Sequence, residues 1–244
     1  MLKRYIIILF AFVAIAGSIN AQIRPGVKMG YNLGGVLGSK SRNSDNPYSA
    51  GYADNFKMQS GFQIGMIADC PVSEVLAIQP GVRFAMQGFR DEWKSGSHSK
   101  QYDTRTFSIF YVQVPVNVQY RMNVAEETNV LFQAGPYANF AIFGRQTRIF
   151  NGKNETENLS SNQKKIDFER NELPRIDYGV GAGVGIEFFP FQFMFAYDYG
   201  ISKVKFDKDA RSGLYNIDLQ NHCFSATLAI IFGRRDPLQS RDIF

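Results

Sequence analysis

The sequence contains two histidines, which are the side chains best suited to acid–base or nucleophilic chemistry near neutral pH. His98 lies in a Ser-Gly-Ser-His-Ser segment, and His222 follows Asp218 and, further back, Asp207 and Asp209. A histidine and an aspartate at the rim of a protein could activate a nucleophile for hydrolysis. No spacing fixes the rest of such a site, and the alternative is a pair of solvated loop histidines. We therefore expect a protein without enzymatic activity, and we expect no metal or other cofactor.

Four charged residues lie inside apolar segments and could do different chemistry: Arg83, Arg121, Glu187 and Asp198. If they faced a water-filled passage, they could form an ion-selective filter. If they faced a packed interior, they would have to pair with one another, because an unpaired buried charge is strongly unfavourable. An internal network of salt bridges is the interpretation that we favour.

The segments that carry these residues alternate between apolar and polar side chains. A period of two indicates a β-strand with one apolar face, and no segment of useful length after Gln22 has a helical period. We count eight such segments, at about residues 25–35, 58–69, 75–89, 111–122, 129–143, 176–189, 192–202 and 222–232.

The connections between these segments alternate in length. Long polar connections follow the odd-numbered segments, at about residues 38–57, 90–105, 144–175 and 203–221, and short ones follow the even-numbered segments. In an up-and-down sheet all the long connections then lie at one end. This pattern predicts an all-β fold, a single antiparallel up-and-down eight-stranded transmembrane β-barrel with long extracellular loops and short periplasmic turns.

The N-terminus is typical of an exported protein. Lys3 and Arg4 precede an apolar stretch, and small residues follow up to Ala21. We predict a signal peptide over residues 1–21 that is cleaved between Ala21 and Gln22. A membrane anchor is the alternative, but the apolar run is shorter than the ~20 residues that span a bilayer. Residues 22–244 would form the outer-membrane barrel, with a short polar tail over 233–244.

The two faces of the strands differ in a way that sets their direction. The polar face is rich in glycine and amide side chains, which fit a crowded interior, while the apolar face carries aromatic residues near strand ends. A soluble lipocalin-like barrel would have the opposite arrangement. We therefore expect lipid contact from Val112, Val114, Val116 and Val118, and a lumen filled by side chains such as Gln113, Asn117 and Gln119.

Three prolines, Pro80, Pro115 and Pro136, lie at similar heights on neighbouring predicted strands. A proline removes one hydrogen bond from a ladder, and a closed barrel has no edge strand to accommodate it. One interpretation is a local bulge at each proline. The other is a weak seam in the wall, where the wall flexes or a partner docks.

Two cysteines, Cys70 and Cys223, fall at opposite ends of the predicted barrel. A disulfide requires Cα atoms within ~7 Å, and this placement separates them by about the thickness of a membrane. We therefore predict two free thiols.

Several motifs give the chain a resemblance to the PorT-type outer-membrane β-barrel proteins of Bacteroidetes. They are the segments Val112-Gln113-Val114-Pro115-Val116, Gly135-Pro136-Tyr137, Asp177-Tyr178-Gly179 and Asp198-Tyr199-Gly200-Ile201, with Gly181, Gly183 and the leader end Asn20-Ala21-Gln22. The resemblance implies an accessory or structural role in protein secretion by the type IX system, with other secretion-system proteins as partners. A narrow passive channel and a surface-binding barrel unrelated to secretion are the alternatives.

The remaining partners follow from composition. The third long connection contains basic residues whose cations could contact lipopolysaccharide phosphates or a partner, among them Arg145, Arg148, Lys153, Lys164, Lys165 and Arg170. A solvated loop is the alternative. We therefore expect outer-membrane lipid and lipopolysaccharide around the protein. The net charge of +5 is mild, and no basic helix or nucleic-acid motif is present, so we expect no nucleic-acid partner.

Overall fold

The computed structural model describes residues 23–38, 56–94, 102–150, 161–165, 175–205 and 218–233. These residues form nine strands: β1 (Arg24–Gly38), β2 (Phe56–Pro71), β3 (Leu76–Lys94), β4 (Tyr102–Ala125), β5 (Thr128–Phe150), β6 (Ser161–Lys165), β7 (Ile176–Phe188), β8 (Phe191–Lys205) and β9 (Asp218–Ile231). No helix in this described part of the chain is long and apolar enough to cross a membrane. The predicted signal peptide, its cleavage site and the tail beyond Gly233 lie outside the described residues.

Every strand except β6 belongs to one closed antiparallel barrel. Each of these strands pairs with the next one along the chain, and β5 pairs with β7 because β6 is not part of the barrel wall. The pairing of β1 with β9 closes the ring. The predicted eight-stranded up-and-down barrel is therefore confirmed. Closure satisfies the backbone groups of every strand without an open edge, which is what a sheet in lipid requires.

The alternation of the sequence becomes an apolar outer wall and a polar lumen. On β4, Val114 and Val118 are 44% and 53% exposed on the outside, whereas Gln113 and Gln119 are completely buried inside. Val112 and Val116 share the outer face and are half-buried, and Asn117 is half-buried on the inner face. The predicted direction of the wall is confirmed on this strand.

The short connections all lie at one end of the barrel, as predicted. Between β2 and β3, the Val72 amide donates a hydrogen bond of 2.9 Å to the Leu76 carbonyl, and the Leu76 amide donates to Ser73 Oγ. The β4–β5 turn places Glu127 at a φ of 61°, and the β7–β8 turn contains a cis bond before Pro190. In outer-membrane barrels this end is periplasmic, and we name the ends accordingly.

The extracellular end departs from the prediction, because strands extend into the expected long loops. β3 continues to Lys94, β4 begins at Tyr102, and β5 continues to Phe150. β6 adds a further strand that pairs with the end of β5. β2 to β6 together thus form an extracellular sheet above the barrel. Its residues are largely polar and do not show the apolar alternation that marked the membrane-spanning segments, so the sequence pattern stopped short of it.

The prolines interrupt the ladder without shifting it. Pairing of β3 with β4 is broken between Pro80 and Arg83, and pairing of β4 with β5 is broken between Pro115 and Val118, yet both resume in the same register. The expected bulges at the prolines are therefore absent from these strands. Register shifts occur elsewhere, between Met58 and Gln63, Phe110 and Tyr111, Asn123 and Ala125, and Tyr199 and Lys203. The proposed weak seam remains a prediction.

Candidate functional site

The periplasmic end of the lumen contains a four-residue ion-pair cluster. Arg121 on β4 lies between two carboxylates: its Nη2 is 2.7 Å from Asp69 Oδ1, and its Nε is 3.2 Å from Glu187 Oε1. Arg24 on β1 also donates to Asp69, through Nε at 3.0 Å. Gln192 donates a further hydrogen bond to Glu187. Two positive and two negative charges thus pair with one another in a buried setting, and such pairing offsets part of the cost of removing charges from water.

A second ion pair lies at mid-height. Arg83 Nη2 on β3 is 2.7 Å from Asp198 Oδ2 on β8, so this pair spans the lumen. Arg83 Nε also donates to Gln113 Oε1 at 2.8 Å, and Gln113 Nε2 donates to Asp198 at 3.3 Å. Lys28 is buried within electrostatic range of both charges.

At the extracellular end of the lumen, neutral side chains among the described residues donate hydrogen bonds to a buried carboxylate. Asp177 on β7 is 1% exposed, and its Oδ2 accepts hydrogen bonds of 3.1 Å from both Asn139 Nδ2 and Asn221 Nδ2. Ser202 Oγ donates to the other carboxylate oxygen. Three hydrogen bonds thus replace the water that this carboxylate loses on burial.

These side chains close the lumen. Two internal cavities, beside Lys28 and beside Tyr111, measure only about 10 Å³ each, which is room for about one water molecule. A larger cavity of about 420 Å³ lies at the periplasmic mouth, between Arg24, Arg121 and Glu187 and the short turns. The described lumen is therefore a packed interior with a shallow periplasmic vestibule.

The four predicted lumen charges are brought together as two separate pairs. Arg83 contacts Asp198 and Arg121 contacts Glu187, and the second pair also includes Arg24 and Asp69, which were not predicted as partners. The missed residues are Arg24, Asp69 and Asp177. Arg24 and Asp69 lie next to strand ends, where alternation cannot distinguish a lumen residue from a rim residue. Asp177 follows the alternation of its strand, and this signal could have identified it.

The histidines do not form a catalytic site among the described residues. His222 lies on the outer face of β9, and its ring centroid is 6.1 Å from that of Tyr197 and 6.3 Å from that of Phe224. It belongs to a cluster of aromatic rings on the wall. Asp218 begins β9, whereas His98, Asp207 and Asp209 lie outside the described residues. The described residues also contain no group of three potential metal ligands.

Both cysteines are free, as expected. Cys70 lies at the periplasmic end of β2, whereas Cys223 faces the lumen inside β9 and is 3% exposed. Cys223 is opposite Gly34 and Asp198 in the register, so it lies deeper in the barrel than its predicted position at the extracellular start of the last strand.

A closed barrel with an apolar outer wall, a polar packed lumen and short turns at one end defines an outer-membrane β-barrel protein. The chain matches the family model described as outer membrane protein beta-barrel domain over residues 16–205, and it belongs to this family. The predicted location in the outer membrane is thereby confirmed. No curated protein matches the chain.

Solved structures with a similar fold include three outer-membrane proteins. Ail of Yersinia pestis is 14% identical, with 86% of this chain and 99% of that chain covered and a TM-score of 0.38. OprG of Pseudomonas aeruginosa is 12% identical, with 88% and 98% covered and a TM-score of 0.44. The protease OmpT of Escherichia coli is 10% identical, with 87% and 94% covered and a TM-score of 0.37. At these identities the similarity concerns the fold alone.

Proposed function

We propose that this protein is a non-enzymatic outer-membrane barrel that assists protein secretion through its surfaces, as an accessory component of a type IX system. The observation that carries the proposal is the closed lumen, with buried side chains at three heights and internal cavities of about 10 Å³. A barrel whose described lumen is filled by side chains acts through the molecules that its outer wall and its two ends contact. The choice of secretion rests on the resemblance of the strand motifs to the PorT-type family.

The closed lumen argues against the passive-channel alternative. A conducting pore needs a continuous water-filled path, whereas Gln79, Gln113 and Gln119 are each at most 1% exposed inside this barrel. The Arg83–Asp198 pair spans the same level, and opening it would leave two charges unpaired in a poorly hydrated interior. We expect no stepwise conductance when the purified protein is added to a planar bilayer.

The position of His222 argues against the rim hydrolase. General acid–base catalysis requires the histidine to reach a substrate and a second polar group. Here the ring of His222 lies against Tyr197 and Phe224 on the wall. We expect that His98→Ala and His222→Ala leave every phenotype of the protein unchanged.

Deletion of the gene tests the secretion role. We expect proteins destined for the cell surface to accumulate in the periplasm of the deletion strain, and export to return when the full-length protein is supplied. Mass spectrometry of surface, outer-membrane and periplasmic fractions measures both effects. Normal export in the deletion strain would refute the proposal, and cross-linking followed by purification from outer membranes would then identify other partners.

The extracellular sheet favours a second candidate, a surface-binding barrel unrelated to secretion. β4 and β5 are 24 and 23 residues long, and ~10 residues suffice for a strand to cross the bilayer. The excess length forms a sheet on the extracellular side. Replacing residues 91–105 by a short glycine–serine linker, which removes the paired extracellular ends of β3 and β4, should abolish surface binding but leave export intact if this candidate is correct.

A further inference from the structure

The middle of the lumen contains a surplus of positive charge among the described residues. Arg83 pairs with Asp198, with Nη2 of the arginine 2.7 Å from Oδ2 of the carboxylate. Lys28 is 6% exposed and lies within electrostatic range of both groups, but it is not a member of this ion pair. Two cations thus share one carboxylate. A buried charge without a counter-charge is strongly unfavourable, so an ionised Lys28 needs a further negative charge beside it.

The other buried carboxylates of the described lumen do not supply this charge. Asp69 and Glu187 both contact Arg121 at the periplasmic end. Asp177 accepts its hydrogen bonds from neutral side chains at the extracellular end. The charged groups that act on Lys28 within the described part of the chain are those of the mid-height ion pair. The compensating charge must therefore come from outside the described side chains.

Lys28 lines one of the two small internal cavities. This cavity measures about 10 Å³, which admits one particle of about the size of a water molecule. It lies where the pairing of β3 with β4 is interrupted between Pro80 and Arg83, and its lining includes Val82 and Pro115 from the unpaired stretch. The space beside Lys28 thus exists where the two strands separate.

Gln63 is a second side chain of this cavity that needs a partner. It is 3% exposed, and neither its amide nitrogen nor its amide oxygen has a hydrogen-bond partner among the described residues. Buried polar groups nearly always have a partner, because an unpaired one has lost its hydrogen bonds to water. The Gln63 amide nitrogen and the Lys28 ammonium are both donors, so together they favour a hydrogen-bond acceptor in the cavity.

We propose that this cavity is a binding site for one small monovalent anion of the halide type, held between the Lys28 ammonium and the Gln63 amide nitrogen. A water molecule would satisfy the amide nitrogen but would leave the charge of Lys28 uncompensated, whereas an anion does both. Chloride is only slightly larger than water, so it fits a space that excludes polyatomic anions. With the anion, two positive and two negative charges meet at this level. The site is independent of the proposed role in secretion.

Bromide tests the site directly, because it substitutes for chloride and is located by anomalous X-ray diffraction. The purified full-length protein is refolded and crystallised in sodium bromide. We expect an anomalous peak within hydrogen-bonding distance of Lys28 Nζ in the wild type, and no peak at this position in Lys28→Met. A wild-type crystal in which bromide lies only at the surface, as an adventitious ion, would overturn the proposal.

The stability of the barrel gives a second readout that needs no crystals. Urea unfolding is followed while chloride is replaced stepwise by gluconate at constant ionic strength, so that screening is equal and only the anion changes. A ligand that binds only the folded state stabilises it. At saturating chloride we therefore expect the folding equilibrium constant of the wild type to rise about tenfold for each tenfold rise in chloride. Lys28→Met should abolish this dependence.

Gln63→Leu and Gln119→Leu form a matched pair for the same measurement. Both glutamines are buried, and both amide atoms of each lack a partner among the described residues, but Gln119 does not line the cavity. We expect Gln63→Leu to weaken chloride binding by about tenfold or more, and Gln119→Leu to keep it within about twofold of wild type. Heat-dependent gel mobility verifies that each variant is folded. A wild type indifferent to chloride, or equal weakening in the two glutamine variants, would contradict the assigned site.

Discussion

The two ends of the lumen bury negative charge in different ways. At the periplasmic end, Asp69 is completely buried and contacts two guanidinium groups, those of Arg24 and Arg121. At the extracellular end, Asp177 is as deeply buried, but its partners are two amides and a hydroxyl. The first solution balances charge, and the second replaces water by neutral donors.

The difference predicts how each end responds to mutation. An ion-pair cluster is strongly destabilised when one member is removed, because the charges that remain have no counter-charge in a low-dielectric interior. When a carboxylate held by neutral donors is replaced by an amide, no partner charge is left without a counter-charge. Only the hydrogen bonds are altered. The periplasmic end should therefore be the more sensitive of the two.

The largest effect is expected from Arg121→Leu. This change leaves Asp69 and Glu187 without their shared cation, and we expect the free energy of unfolding to fall by about 3–5 kcal/mol. Urea unfolding of the folded barrel in detergent, followed by gel mobility, measures the change. Adding Glu187→Gln to the variant should restore part of the loss. A fall no larger than that of an outer-wall change such as Val118→Ala would remove the distinction between the two ends.

A smaller loss is expected from Gly179→Ala, two residues after Asp177 on β7. An added Cβ would lie 2.1 Å from the Tyr199 carbonyl oxygen and 2.6 Å from the Tyr137 hydroxyl oxygen, so the strands or the ring must move. We expect a destabilisation of about 1–3 kcal/mol in the same urea experiment. Ala182→Ser, on the outer face of the same strand, is the control. Wild-type stability of the Gly179 variant would mean that the extracellular lumen is loosely packed.

Asp177→Asn should cost only about 1 kcal/mol, because the amide retains one acceptor oxygen for the donors around it. The matched comparison is Asp69→Asn, for which the loss should be several times larger, since two arginines would lose their partner. Both variants are unfolded side by side in urea. Equal losses would show that hydrogen bonding, rather than charge balance, governs both ends.

The smallest effect is expected from Pro115→Ala, at the level between the two ends. The ladder is already interrupted beside this residue, so restoring an amide should change the free energy of unfolding by less than about 1 kcal/mol. If the seam serves secretion, export should fall although stability is kept. Unchanged export together with unchanged stability would eliminate the seam hypothesis.

The barrel could be predicted from the sequence because lipid imposes a simple alternation on its strands. Val114 lies on the outer wall and Gln113 in the lumen, and the alternation predicts this directly. The extracellular sheet could not be predicted in the same way, since both faces of β6 are polar. The bulges, such as that at Phe110, depend on how two strands far apart in sequence fit together, which no local pattern contains.

The lumen site was predicted only in part, for a related reason. Alternation identified Arg83, Arg121, Glu187 and Asp198 as inward-facing, but it carries no information about which charges meet. That choice depends on the stagger between strands, which places Asp69 rather than Asp198 beside Arg121. The ion-pair partners in the lumen are set by the register of all the strands in the closed barrel, which the sequence pattern of one strand does not contain.

The pairing of β1 with β9 also has a consequence for how the protein forms. Gly26 is opposite Ile231, so the contact that closes the ring joins residues near the two ends of the chain. Contacts of such high sequence separation form late, because ordering the intervening chain reduces its entropy before the contact stabilises it. Arg121, with partners on β2 and β7, depends on the same closure. We therefore expect the barrel to assemble in one cooperative step, with no stable half-barrel on the way.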